Sequence, residues 1–293
     1  MLDVGDGHKL HVVDWGNKSA KVPFLYLHGG PGGYVKDKSK KIFNPKKHHV
    51  IFFDQRGAGE SLPTGSLEHN TTDDLVKDIT KILDHLKIEK VNIYGYSWGS
   101  TLALVYTIRH PERIENVIVG GVYAGNNDYN GAFLSHCKTF FPEVYDQVLE
   151  MTPKEHRADF VSYHIDKTLN GTLDEQKASA YVITTIEGAI CNNREDFSAP
   201  INFEEFDPAS TRVEVHYISN NCFLEDNYIL NNADKIEAPV YIVQGRTDFV
   251  CPPDFAYALS KKIKYAKLSW AVSNHAPEHE ILSLQKTICD LIA

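Results

Sequence analysis

Two hydrophobic rhythms alternate along the chain. Runs rich in apolar or β-branched residues occur at Val22 to Leu27, His49 to Asp54, Val91 to Tyr96, Ile114 to Val119, Pro239 to Gln244 and Ala266 to Val272, the first of them near-continuous. Strands covered on both faces read as such continuous runs. Between them apolar residues return every three or four positions, as at Leu75, Ile79, Ile82, Leu83 and Leu86, the period of a helix laid on a sheet. Residues 8 to 14 partly alternate and predict an early hairpin strand. Thr71 or Thr72 is placed to cap the helix that carries Asp73 and Asp74 in its first turn. Strands alternating with helices imply an α/β fold with a mostly parallel, doubly wound sheet, whose ligands lie at the carboxyl ends of the strands.

From about Gly125 to Asn232 the strand rhythm stops. Helical periods run over Phe133 to Glu150, Pro153 to Leu169 and Thr172 to Ile190, the last opened by a capping box of Thr172 and Glu175. This predicts an α/β core from residues 1–124 and 233–293, with a helical cap inserted at 125–232. A closing helix is expected from about Pro277 to Ile292.

Bulk composition narrows the setting. With 42% hydrophobic and 24% charged residues in 293, the chain has the balance of a globular protein with room for one large domain. A net charge of −9 argues against nucleic acid or an anionic membrane as the main partner. The five cysteines form neither a C-x-x-C pair nor a zinc spacing, which fits reduced thiols in a cytoplasmic protein. The N-terminus lacks the basic start and apolar run of a signal peptide, and no apolar run approaches the roughly 20 residues that span a bilayer.

Chemistry gathers at the strand ends. Gly95-Tyr96-Ser97-Trp98-Gly99 lies between a strand and a helix, the setting of a nucleophile elbow that projects a serine hydroxyl. A Cβ at either glycine is expected to collide with a neighbouring strand or helix. Serine needs an adjacent base, and histidine needs a carboxylate to hold its tautomer. In the order Ser, acid, His the chain offers Ser97, Asp248 and His275, each just past a strand. Asp254 is a second candidate acid and His279 a second candidate base. His28-Gly29-Gly30-Pro31-Gly32-Gly33 puts bare backbone beyond a strand and is read as the oxyanion loop. Trp98 and Gly30 are the expected N–H donors, with Gly29 the alternative to Gly30. His28 is assigned a loop-bracing role, and Asp54 and Arg56 are expected to form a charged pair bracing their own loop. No metal is required, since His48-His49 is adjacent and no H-E-x-x-H occurs; no dinucleotide motif or P-loop calls for a nucleotide cofactor.

With these motifs in place the chain resembles the proline iminopeptidase family of α/β-hydrolases. The resemblance rests on His28 to Gly33, on Asp54-Gln55-Arg56-Gly57-Ala58-Gly59, on Gly95-Tyr96-Ser97-Trp98-Gly99-Ser100, on Gln244-Gly245-Arg246-Thr247-Asp248 and on Asn274-His275. It implies a serine aminopeptidase that releases an N-terminal residue, proline preferred, from short peptides with a free amine. Glu214, in Thr211-Arg212-Val213-Glu214-Val215-His216-Tyr217, and Glu187, in Thr185-Ile186-Glu187-Gly188-Ala189, are similar to cap positions that hold that amine. Tyr217 and Gly29 complete the substrate-binding set implied. The chain departs from the family at Tyr96, where glycine is usual, at Thr247, and in a first cap helix whose Phe140, Phe141 and Tyr145 are either pocket or core. The same core also serves esterases, lactonases and amidases, and a non-catalytic receptor on this fold is the remaining alternative.

Overall fold

A computed structural model describes residues 1–125, 136–192, 203–276 and 279–293. The expected hairpin strand divides at His11: β1 (Leu2–Gly5) and β2 (His8–Leu10) form a two-stranded antiparallel sheet, while β3 (Val12–Gly16) joins the main sheet. That sheet has seven strands in the order β3-β5-β4-β6-β7-β8-β9. Its members are β4 (Phe24–Leu27), β5 (His49–Phe53), β6 (Val91–Tyr96), β7 (Ile114–Gly120), β8 (Val240–Gly245) and β9 (Ala266–Ala271). β3 is antiparallel to β5, and the other neighbours run parallel.

The central strands are covered on both faces, which is why β4 and β5 read as near-continuous apolar runs. Leu25, Leu27, Ile51, Phe53 and Ile93 pack with α1 (Thr72–His85) and α2 (Trp98–Arg109). The alternate residues Phe24, Tyr26, Phe52 and Tyr94 pack with Ile281 and Ile288 of the last helix, His279–Ile292. After β4 the chain steps outward to β5 and then returns to the other side of β4 to form β6. The sheet therefore reverses direction between β4 and β6, the crevice where ligands of such folds bind.

Thr71 is the cap of α1, and its side chain exchanges hydrogen bonds with Asp74. Between β7 and β8 the described residues form helices and their connections, with no strand among them. α3 (Pro142–Met151), α4 (Phe160–Asn170) and α5 (Leu173–Asn192) enclose their own apolar cluster around Phe141, Val144, Ile186 and Ile190. The Thr172–Glu175 capping box is present at 2.8 and 3.3 Å. The expected helix from Phe133 to Glu150 is interrupted at Phe141, because a residue before proline avoids helical backbone and Pro142 starts a new helix. Phe133, Leu134 and Ser135, like Pro277, lie outside the described residues. α6 (Ala209–Ser219) differs from α3–α5: its Val213 and Tyr217 belong to the main core.

The expected Asp54–Arg56 pair does not form. Arg56 instead makes a bidentate contact with Asp78 of α1, at 2.6 and 2.8 Å, and donates to the His69 carbonyl at 2.6 Å. Asp54 accepts from the Val35 and Glu60 N–H groups at 2.8 and 3.0 Å. Each braces a loop, with a different partner. The Arg56 and Asp78 side chains are fully buried, and burial pushes the Asp78 carboxyl up even with the guanidinium beside it. Such a pair contributes little net, yet leaving one member alone is costly. Arg56→Met is expected to lower unfolding free energy by about 3–5 kcal/mol, and adding Asp78→Leu to restore much of it. Denaturant midpoints of the two variants measure this.

Candidate active site

The elbow between β6 and α2 is built by close approach. A Cβ at Gly95 would collide with the Gly99 carbonyl, and one at Gly99 with the Leu27 carbonyl of β4. Ser97 sits at the apex with φ +55° and ψ −129°, a conformation a non-glycine residue adopts only when its surroundings impose it. Its N–H donates to the Gly120 carbonyl at 3.0 Å, pinning the turn to the end of β7.

His275, past β9, has Nε2 at 3.1 Å from Ser97 Oγ. Its Nδ1 lies 2.9 and 3.0 Å from the two oxygens of Asp248, past β8. Asp248 is held in turn: Oδ1 accepts from the N–H groups of Cys251 and Val250 at 2.8 and 3.1 Å, and Oδ2 from Gln244 Nε2 at 3.2 Å. The rivals drop out, since Asp254 and His279 are both exposed. Burial alone would push the His275 imidazole down; the Asp248 carboxylate outweighs it and holds the ring well above the usual imidazole range. The arrangement supports proton transfer from a serine hydroxyl to an oriented base, the requirement for nucleophilic acyl transfer.

The loop after β4 borders Ser97, for a Cβ on Gly29 would lie 3.3 Å from Ser97 Cβ. Gly30 adopts φ +118°, which favours glycine. Trp98 is the first residue of α2, so its N–H has no carbonyl one turn back to bond. A buried network sets both segments. The Trp98 indole donates to Gln55 Oε1 at 2.8 Å, and Gln55 Nε2 donates to the His28 carbonyl at 3.0 Å. The Gln55 N–H donates to His28 Nε2 at 2.9 Å, which leaves the ring proton on Nδ1, facing the Gly29 carbonyl at 2.9 Å. His28 therefore braces the loop, and the D-Q-R-G segment tells why it needs its glutamine.

α6 crosses above this loop, with Ser210 Oγ donating to the Gly32 carbonyl at 2.8 Å. Glu214 of α6 and Glu187 of α5 meet there in a side-chain hydrogen bond. Burial raises both carboxyls, and the charge of Glu187 drives Glu214 well above the usual carboxylate range. Glu187 also feels the charges of His275 and Lys36, which favour its ionised form. Burial and mutual repulsion thus favour one proton shared between the two carboxyls. Each keeps part of its surface accessible while densely surrounded, as in a cleft rather than on an outer face. Tyr217 does not face this cleft: it is 1% exposed, donates to Asn70 Oδ1 at 2.9 Å and packs on Trp98 at 4.9 Å. Its position supports a packing role in place of the substrate contact expected. Phe141 is core, whereas Phe140 stacks on Phe249, the neighbour of Asp248, at 4.4 Å.

Two features here were not found from sequence. The buried Cys251 thiol lies within hydrogen-bonding reach of His275 and Ser97. Tyr96 donates its hydroxyl to the His275 carbonyl at 2.9 Å and sets its ring 5.6 Å from the imidazole, in space that side chains at Gly120 and Gly121 would fill. Tyr96→Phe keeps the ring and strands a buried acceptor worth about 1–3 kcal/mol. Its expected effect is a roughly tenfold fall in kcat with KM unchanged, read from steady-state kinetics.

The α/β-hydrolase fold family model matches residues 22–275. A protein of Leptolyngbya boryana named a probable proline iminopeptidase is 37% identical over 92% of this chain and 85% of its own length. The proline iminopeptidase of Xylella fastidiosa is 36% identical over 92% of this chain and 87% of its own. Among solved structures, an esterase from Exiguobacterium antarcticum superposes with a TM-score of 0.66 at 21% identity, covering 98% of this chain and 96% of its own, a likeness of fold.

Proposed function

The chain belongs to the proline iminopeptidase family of α/β-hydrolases, and from that premise we propose a serine aminopeptidase that removes an N-terminal residue, proline preferred, from short peptides. The observation that carries this reading is the Glu187–Glu214 pair beside the Ser97–His275–Asp248 array. A buried cation needs a carboxylate partner, and a shared proton lets the pair meet one ammonium with one negative charge.

In the reaction Ser97 Oγ attacks the first peptide carbonyl as His275 Nε2 takes its proton. The N–H groups of Gly30 and Trp98 receive the developing oxyanion. His275 then protonates the leaving amine, and water, activated by the same ring, releases the free residue from the acyl-enzyme. Gly29 flanks the nucleophile and keeps the substrate path clear of side chain. Among the described residues no helix is long and apolar enough to cross a membrane.

The test is a panel of aminoacyl arylamides beside N-blocked versions and small acyl esters. Free-amine prolyl substrates are expected to be cleaved fastest; equal cleavage of blocked ones would overturn the reading. The pH profiles should also differ. The base must be neutral to act, and His275 is raised, so kcat/KM for every substrate should climb at a pH above the usual imidazole range. For esters it then levels off. For free amines it falls again as the α-amine loses its proton, near pH about 8, because the neutral amine no longer pairs with the glutamate pair.

A further inference from the structure

We propose that Asp248, Cys251 and His275 form a binding site for a soft divalent cation of the zinc class, and that filling it switches the enzyme off. One donor atom from each residue lies within 4.8 Å of the others, and all three residues are buried. Acyl transfer has no use for the Cys251 thiol. The turn that orients the acid is what brings it there: Val250 and Cys251 both donate backbone N–H to Asp248 Oδ1, which folds the chain back so that Sγ reaches His275 and Ser97.

Thiolate, imidazole and carboxylate are the three zinc ligand types, and three protein ligands leave a fourth position for water or for Ser97 Oγ. Sulfur selects zinc or cadmium over magnesium and calcium. On binding, Cys251 Sγ gives its proton to solvent and a new Sγ–metal bond forms, with no change of oxidation state. A lone pair of His275 goes to the metal at the same time. Proton acceptance from Ser97 and metal ligation draw on one ring and one carboxylate, so the two are mutually exclusive. The way in is the cleft through which substrate reaches Ser97.

The full chain is assayed on a small ester with zinc, and half-inhibiting concentrations are compared in the wild type, Cys251→Ala and Cys251→Ser, each relative to its own uninhibited rate. The expected result is inhibition reversed by a chelator, absent with magnesium or calcium, and requiring more than about tenfold higher zinc in both variants, since even outer-shell partners of a metal are worth that much. Inhibition of the variants at the wild-type zinc concentration, or none in the wild type, would overturn the proposal. Direct binding is read in Ser97→Ala, which keeps all three ligands. One equivalent of cadmium should bind with an ultraviolet sulfur-to-metal charge-transfer band that Ser97→Ala/Cys251→Ala lacks. A missing band in Ser97→Ala, or the same band in the double variant, would overturn it independently of catalysis.

Discussion

Ser97→Ala is expected to lower kcat about a millionfold on every substrate the wild type cleaves, and His275→Ala by nearly as much. Combining them should add almost nothing, because serine and histidine act as one unit and either loss removes it whole. A residual rate about a thousandfold or more above that of water should survive, owed to the Gly30 and Trp98 donors. Asp248→Asn is expected to cost about ten-thousandfold for a different reason. The Asp248 oxygen that accepts two backbone N–H groups must remain an oxygen, so the new NH2 takes the place of Oδ2, 2.9 Å from His275 Nδ1. A donor there drives the ring proton to Nε2, the atom that must receive one from Ser97. Single-turnover assays with an activated ester separate these outcomes. Ser97→Ala with wild-type activity on any substrate would mean another nucleophile.

Much of this site was legible in the sequence because its constraints are local. The elbow is fixed by two glycines four residues apart whose missing side chains admit a helix and a neighbouring strand. Asp248 and His275 follow their strands directly, so chain order brings both to the rim that holds Ser97. What could not be read were partners chosen by tertiary packing. Arg56 lies two residues from Asp54 but pairs with Asp78 on a helix. Tyr217 lies one turn beyond Glu214, and helical spacing puts both on one side of α6; over that 4.5 Å or so of rise the helix passes from the cleft to the core under Trp98. Cys251 looked like one of several unpaired thiols, since nothing in its neighbours announces the turn around Asp248. Tyr96 read as a departure from the family, and the structure gives that departure a partner in the His275 carbonyl.

The glutamate pair predicts an asymmetry that sequence alone could not. The charges of His275 and Lys36 favour an ionised Glu187, so the two glutamine variants are expected to differ. Glu187→Gln leaves a bound ammonium without its anion. Breaking a buried ion pair by removing one partner costs about 3–5 kcal/mol, which corresponds to a rise in KM for free-amine substrates of roughly a hundred- to a thousandfold. Glu214→Gln keeps a side-chain donor beside Glu187 and leaves that carboxylate to meet the ammonium, so its KM should rise by about tenfold or less. Both variants should hydrolyse small esters at close to the wild-type rate, because the array around Ser97 is untouched. If instead ester and amine substrates suffer alike, the pair shapes the site rather than binding the amine. If Glu214→Gln is the more damaging, the proton sits on Glu187 and the charge on its partner. Steady-state kinetics of the two variants on matched amine and ester substrates decide between these, and the ratio of the two KM values reads out which carboxylate faces the substrate as an anion.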